Sequence, residues 1–113
     1  MNNQIEVILG PRGCGKTHRL IEKAGKDGGY IVCHSHGEAF RIAKRAGELG
    51  LSIPFPLTPG ELLRGGGPGV KCLHFDNVDF FLRLLSGGIP IRSVTFADSV
   101  EGMHEPMRGG PLL

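Results

Sequence analysis

Short apolar runs alternate with stretches of helical periodicity along residues 1–97. Apolar runs of about four to eight residues are typical of buried strands, whereas apolar residues recurring every three or four positions are typical of a helix with one buried face. The pattern predicts four strands, at residues 5–9, 30–33, 70–75 and 91–97, and four helices that begin near residues 16, 35, 58 and 78. Residues 53–57 contain two prolines, so this segment is predicted to be an edge strand or an extended connector.

The helices carry recognisable start signals and apolar faces. Ser35 is followed three residues later by Glu38, and Thr58 by Glu61, so each pair is able to form a capping box. The last helix, residues 78–86, has a wide apolar stripe and is predicted to be largely buried. The inner faces of the first two helices are predicted to carry Thr17, Leu20, Ile21 and Ala24, and Ala39, Ile42, Ala43, Ala46 and Leu49.

The first predicted strand runs directly into residues 10–17, which read Gly-Pro-Arg-Gly-Cys-Gly-Lys-Thr and match the phosphate-loop spacing GxxxxGK[ST]. Gly10 and Gly15 allow the backbone to curl so that successive N–H groups converge on phosphate oxygens. Lys16 is able to reach the β- and γ-phosphates, and Thr17 places a hydroxyl on Mg²⁺ at the positive end of a helix. The sequence therefore predicts binding of a nucleoside triphosphate through Gly10, Pro11, Arg12, Gly13, Cys14, Gly15, Lys16, Thr17 and His18.

A nucleotide site of this kind also needs a carboxylate for Mg²⁺, expected at the carboxyl end of a buried strand. Asp76 follows the predicted strand at residues 70–75 and meets this expectation, holding the metal through a water molecule. The alternative is that Asp76 caps the helix that follows, a position in which aspartate is favoured.

These two segments resemble the Walker A and Walker B motifs of the RecA-like P-loop ATPases, over residues 5–97. The resemblance implies an α/β fold, a three-layer P-loop NTPase sandwich with a mainly parallel, RecA-like central sheet, with ATP and Mg²⁺ as ligands. Residues 91–97 would then form a strand between the two Walker strands, with Thr95 or Ser93 sensing the γ-phosphate. The layout is also similar to the first lobe of superfamily 1 helicases and to small P-loop ATPases of phages and prophages.

One position departs from that pattern. Many members of the group place a glutamate directly after the Walker B aspartate, whereas this chain has Asn77, which orients water but cannot accept its proton. Asp79 is either a substitute base or an exposed charge in the first helical turn. The candidate catalytic residues are thus Lys16, Asp76, Asn77 and Asp79, with Arg12 and Arg92 as either transition-state cations or solvated residues. Hydrolysis is expected to be slow or to depend on a protein partner or a second copy of the chain.

Composition narrows the class of protein. The 113 residues, 40% of them hydrophobic and with a net charge of +2, predict one globular domain at residues 1–97 and an extended or flexible tail at 98–113. No apolar run approaches the ~20 residues of a membrane span, and the amino terminus lacks a signal-peptide pattern. Three cysteines without a CxxC pair fit a reducing compartment. We therefore expect a cytoplasmic protein without a membrane partner.

Two weaker patterns have plain alternative interpretations. Cys33, His34 and His36 are metal-ligand types, but in an extended segment the cysteine and the histidines face opposite sides, so no metal site is predicted there. The basic residues Arg41, Lys44 and Arg45, with Arg19, Lys23 and Lys26, form either a nucleic-acid surface or a solvated helix face.

Three functions follow from these features. The leading one is a Mg²⁺-dependent ATP-binding domain with ATP hydrolysis, in phage-type DNA metabolism. The alternatives are a noncatalytic nucleotide-binding adaptor, which Asn77 favours, and a nucleoside or nucleotide kinase, for which an arginine-bearing lid is lacking in the sequence.

Overall fold

The computed structural model describes residues 5–11, 15–67, 69–95 and 101–102 of the chain. The helices and strands are, in chain order, β1 (Glu6–Val7), α1 (Lys16–Asp27), β2 (Tyr30–Val32), α2 (His36–Glu48), α3 (Pro59–Leu63), β3 (Leu73–Phe75), α4 (Val78–Ser86) and β4 (Glu101–Gly102). They belong to two compact units, one made of residues 1–16 with 92–113 and one of residues 17–91.

In the unit made of the chain's two ends, β1 pairs with β4 in parallel, with Glu6 opposite Glu101 and Val7 opposite Gly102. The predicted tail, residues 98–113, thus contributes a short strand, and its other residues lie outside the described part of the chain. Parallel pairing between strands so distant in sequence agrees with the alternation of strands and helices in the pattern.

In the unit of residues 17–91, β2 and β3 pair in parallel, with Ile31 opposite His74. On its other side β2 meets Leu57 in a single parallel bridge: the Leu57 N–H donates to Ile31 O at 2.8 Å, and the Cys33 N–H donates to Leu57 O at 2.8 Å. The prolines at 54 and 56 cannot donate to a ladder, so pairing is limited to this one bridge. The expected edge segment at residues 53–57 therefore takes the form of a connector with one bridging residue.

The core of this unit is built from the predicted faces. Its buried apolar residues are Leu20, Ile21, Ala24, Ile31, Val32, Cys33, Ala39, Ile42, Ala46 and Leu57. Complete burial of a side chain such as Ile21 contributes about 1.5–3 kcal/mol relative to exposure. Leu49, predicted to be part of the inner face of α2, is 36% exposed because it follows the last helical residue.

Both predicted capping positions are confirmed at the starts of α2 and α3. Thr58 and Glu61 form the complete capping box, with Glu61 N–H donating to Thr58 Oγ1 and Thr58 N–H donating to the Glu61 carboxylate. Ser35 Oγ accepts from the Glu38 N–H at 3.2 Å, but the Glu38 carboxylate instead accepts from Arg41. The box at α2 is therefore one-sided.

The predicted burial of α4 is wrong. The apolar stripe of α4 is not largely buried: Val78 and Phe80 are each 44% exposed and Leu85 is 61% exposed. Phe81 still packs edge-on against Phe75, with ring centroids 5.2 Å apart, so only one edge of the stripe contacts β3. Periodicity indicates which residues share a helix face, but the amount of neighbouring surface determines whether that face is covered.

The strand predicted at residues 91–97 is absent over residues 91–95, and residues 96–97 lie outside the described part. Pro90, which lacks an N–H group, precedes this segment, and its apolar side chains Ile91 and Val94 are 42% and 56% exposed. Residues of high strand propensity form a strand only beside a pairing partner, and no ladder partner contacts them among the described residues. The three-layer RecA-like sandwich stays a prediction, since the described strands form two separate parallel pairs.

Candidate functional site

The polar centre of the unit of residues 17–91 is a contact between Thr17 and Asp76. The Thr17 hydroxyl donates to the Asp76 carboxylate, with Oγ1 3.1 Å from Oδ2 and 3.4 Å from Oδ1, across 59 positions of sequence. Asp76 is only 8% exposed, and no other charged residue among the described ones is buried. The two residues that the sequence assigns to Mg²⁺ therefore lie side by side.

Strand pairing positions the Asp76 carboxylate. The Asp76 N–H donates to Val32 O at 2.9 Å, which continues the β2–β3 ladder by one residue beyond Phe75. The N-cap of α4 is Asn77 rather than Asp76. Asp76 is therefore not the N-cap of α4, and its carboxylate contacts Thr17 of α1.

Asn77 lies directly after this carboxylate in a left-handed conformation, with φ 60° and ψ 65°. Asparagine adopts this region more readily than most residues with a Cβ. Its side chain is exposed and makes no capping hydrogen bond to α4. The amide is thus adjacent to the Thr17–Asp76 pair in sequence, and chemically it is able to orient a water molecule but not to deprotonate one.

Asp79 lies in the first turn of α4, and its carboxylate contacts Arg83, one helical turn further on. It accepts from Arg83 at 3.1 Å, and the two side chains are 66% and 65% exposed. Arg83 also lies over the Phe80 ring, 5.8 Å from its centroid. An exposed ion pair of this kind contributes little to stability. Through it, however, Arg83 occupies the Asp79 carboxylate, which the sequence suggested as a substitute base.

The described part of the glycine-rich loop belongs to the unit of the chain's two ends. The Lys16 ammonium donates to Gly10 O at 2.6 Å and to Pro11 O at 2.8 Å, so this side chain folds back along the loop. Gly15 has φ +91°, a backbone conformation that favours glycine, and a Cβ added there would meet none of the described residues within 4 Å. Arg12, Gly13 and Cys14 lie outside the described residues.

The remaining residues assigned from sequence make local contacts. His18 faces Glu22 one turn along α1, with Nε2 3.3 Å from the carboxylate. Cys33 is 2% exposed, burial raises the pKa of its thiol to about 11, and its Sγ donates to Ser35 O. His34 is exposed and lies against Phe80, with ring centroids 4.7 Å apart. Cys33, His34 and His36 do not form a group of converging ligand atoms among the described residues.

The basic residues of α2 are on its outer face. Arg41 is 76% exposed at its side chain and pairs with Glu38, and Lys44 and Arg45 are exposed. Arg92, Ser93 and Thr95 are exposed as well. These positions are therefore accessible to solvent.

A second polar cluster, Asp27, Cys72 and His74, was not predicted. His74 Nε2 lies 3.0 Å from both carboxylate oxygens of Asp27, and the Gly29 N–H donates to Asp27 Oδ1 at 2.8 Å. Although burial opposes ionisation, the hydrogen bonds with His74 and Gly29 lower the pKa of the Asp27 carboxyl. Burial and the nearby Asp27 carboxylate raise the pKa of the Cys72 thiol.

Only part of this cluster has a sequence signal. Cys72 and His74 are two apart at the start of β3, so their side chains share one face of the strand. Asp27 is the last residue of α1, 47 positions before His74, and no spacing rule connects it to them. The fold thus ties the far end of α1 to the start of β3, while Thr17 ties the near end of α1 to the residue after β3.

None of the helices within the described residues is both long and apolar enough to cross a lipid bilayer. In comparisons with known proteins, no family model matches the chain, and no curated protein or solved structure shows significant similarity to it.

Proposed function

We propose that this protein is a Mg²⁺-dependent ATP-binding P-loop domain that hydrolyses ATP slowly or with the help of a partner. The observation that carries the proposal is the contact between the Thr17 hydroxyl and the buried Asp76 carboxylate. Thr17 was chosen from the motif spacing and Asp76 from its place after a predicted strand, and these two residues, 59 positions apart, lie 3.1 Å from each other. A chance match to GxxxxGK[ST] would not require its threonine to meet an aspartate at the end of a parallel strand.

The spacing of these oxygens suits magnesium. Adjacent ligands of an octahedral Mg²⁺ at about 2.0–2.1 Å from the metal are about 2.9 Å apart. Thr17 Oγ1 and Asp76 Oδ2 are 3.1 Å apart, so a hydrated Mg²⁺ is accommodated with Thr17 as a direct ligand and Asp76 as a direct or water-mediated one. The metal would supply charge neutralisation on the phosphates. Lys16 is the first residue of α1. Its ammonium, which donates to the carbonyl oxygens of Gly10 and Pro11, would donate to phosphate oxygens instead when nucleotide binds.

Hydrolysis is proposed to be weak because the residue directly after Asp76 is not a carboxylate. Asn77 orients water without taking its proton, and the Asp79 carboxylate is engaged with Arg83. A partner protein or a second copy of the chain would supply the missing base or a cation for the transition state. A cytoplasmic location and a role in phage-type DNA metabolism, with nucleic acid as a further ligand, belong to the same proposal.

The proposal is tested by measuring binding of Mg·ATP and Mg·GTP, and phosphate release, for the native chain and for Lys16→Ala and Asp76→Asn. Loss of a charged hydrogen-bonding group costs about 1.5–3 kcal/mol, so nucleotide affinity or turnover is expected to fall about 10- to 100-fold in each variant. Lys26→Ala and Glu48→Gln alter exposed charges at the ends of α1 and α2 and serve as matched controls. Native binding that neither Lys16→Ala nor Asp76→Asn weakens would refute the nucleotide site.

The same experiment separates the second candidate, a noncatalytic nucleotide-binding adaptor, which the amide at Asn77 favours. Binding without phosphate release, in the presence and absence of nucleic acid, supports the adaptor. Release that appears only when a nucleoside or nucleotide acceptor is added supports the kinase.

A further inference from the structure

The cluster of Asp27, Cys72 and His74 is built from three different ligand types that converge on one point. One ligand atom from each residue lies within 4.8 Å of the other two. Among the described residues, no other group of three or more potential metal ligands is this close together. Thiolate, imidazole and carboxylate together are the donor set of zinc rather than of magnesium or calcium.

Gly29 leaves the space into which the three side chains point. A Cβ placed on Gly29 would lie 2.6 Å from Cys72 Sγ, 2.9 Å from His74 Nε2 and 3.0 Å from Asp27 Oδ1. Because glycine has no side chain, the three ligand atoms are able to approach one another here, where any side chain would collide with them. A tetrahedral zinc ion, at about 2.3 Å from sulfur and about 2.0–2.2 Å from nitrogen and oxygen, holds its ligand atoms about 3.3–3.7 Å apart. The three ligand atoms already lie within 4.8 Å of one another, so side-chain shifts of about 1 Å complete the coordination.

Charge and hydrogen bonding also fit. A Cys72 thiolate and the Asp27 carboxylate carry two negative charges, which balance a divalent cation, while His74 coordinates as a neutral imidazole. The Gly29 N–H already holds Asp27 Oδ1 at 2.8 Å, the kind of supporting hydrogen bond that orients a ligating carboxylate. The Asp27 side chain is 44% exposed, which leaves water access for metal entry and for a fourth ligand.

We propose that Asp27, Cys72 and His74 bind one Zn²⁺ ion, with water as the fourth ligand, and so fasten the end of α1 to the start of β3. Zinc replaces the proton of Cys72 and bridges the His74–Asp27 contact, and the thiol proton passes to solvent. The site is separate from the proposed nucleotide site, because it lies at the opposite ends of the same two elements. Asp27 is about 15 Å along α1 from Thr17.

The test is titration of the chelator-treated full chain with Co²⁺ under a non-coordinating reductant, followed by displacement with Zn²⁺. We expect one equivalent of Co²⁺, a thiolate-to-metal charge-transfer band, and visible bands of four-coordinate intensity. Cys72→Ser is expected to remove the charge-transfer band. His74→Ala, Asp27→Asn and the space-filling Gly29→Ala are each expected to weaken binding about 100-fold or more.

Matched controls separate this site from other thiols, imidazoles and carboxylates. Cys33→Ala removes a buried thiol, His36→Gln an exposed imidazole at the start of α2, and Glu48→Gln an exposed carboxylate at its end, and none is expected to change the cobalt spectrum. X-ray absorption of the native zinc-loaded chain should find one sulfur atom at about 2.3 Å from zinc. This measurement does not depend on whether any variant folds. Absence of sulfur from the metal shell, or a charge-transfer band that persists in folded Cys72→Ser, overturns the proposal.

Discussion

At the scale of single residues, the positions that matter most combine a chemical role with a backbone or burial requirement. Asp76 is a carboxylate that is 8% exposed, and the Thr17 hydroxyl compensates part of the cost of burying its charge. Asn77, next to it, has a left-handed backbone. Its identity is thus explained by conformation as well as by chemistry, and the absence of a glutamate there has a physical reason in the fold.

Replacement of Asn77 tests this conformational role. Asn77→Ala forces a Cβ without a compensating local polar group into φ 60°, and we expect a loss of about 1 kcal/mol in the free energy of unfolding. Asn77→Gly is the matched control and is expected to retain or exceed native stability, since glycine adopts this region freely. Urea unfolding monitored by circular dichroism measures both. An alanine variant as stable as the glycine variant would contradict the role.

At the scale of elements, helix ends are where sequence and structure agree most closely. Ser35 and Thr58 accept hydrogen bonds from the third helical N–H group, at Glu38 and Glu61 respectively. These contacts depend only on residues three apart, so the local pattern suffices to predict them. The exposure of α4 depends instead on what neighbouring elements offer, and the pattern alone predicted it wrongly.

The cap of α2 provides a quantitative test. Ser35→Ala removes the acceptor for the Glu38 N–H and is expected to cost about 1 kcal/mol of stability, seen as a lower thermal midpoint. Ser52→Ala, at an exposed position outside the helices, is the matched control and should leave the midpoint unchanged. Equal midpoints for the two variants would mean that the Ser35 contact contributes nothing.

At the scale of the whole molecule, pairs of contacts join segments that are distant in sequence. Thr17 with Asp76, and Asp27 with His74, hold opposite ends of α1 and β3 within the unit of residues 17–91. The stability of that unit therefore depends on ionised carboxylates. The folded chain lowers the pKa of the Asp27 and Glu61 carboxyls, Asp27 through its hydrogen bonds with His74 and Gly29 despite burial, and Glu61 through the Thr58 N–H.

These lowered pKa values predict loss of stability in acid. A carboxyl whose pKa is lower when folded stabilises the protein fully above its unfolded pKa, about 3.9–4.3, and this stabilisation disappears as pH falls through the folded value. The thermal midpoint, measured with chelator to exclude metal effects, should thus decline below about pH 4. Glu61→Gln should flatten this decline, whereas Glu48→Gln, exposed at the end of α2, should not. Superimposable curves for Glu61→Gln and the native chain would contradict the assignment.

The phosphate-loop spacing, the helix starts, the faces of α1 and α2 and the choice of Asp76 were all available from the amino-acid sequence. Each rests on residues near one another in the chain or on a spacing that backbone geometry imposes. Folding had to bring Thr17 to Asp76 and Asp27 to His74, leave α4 exposed and keep residues 91–95 out of a strand. Those outcomes depend on which distant surfaces meet, and contacts across tens of residues are set by the packing of all elements together rather than by any local pattern.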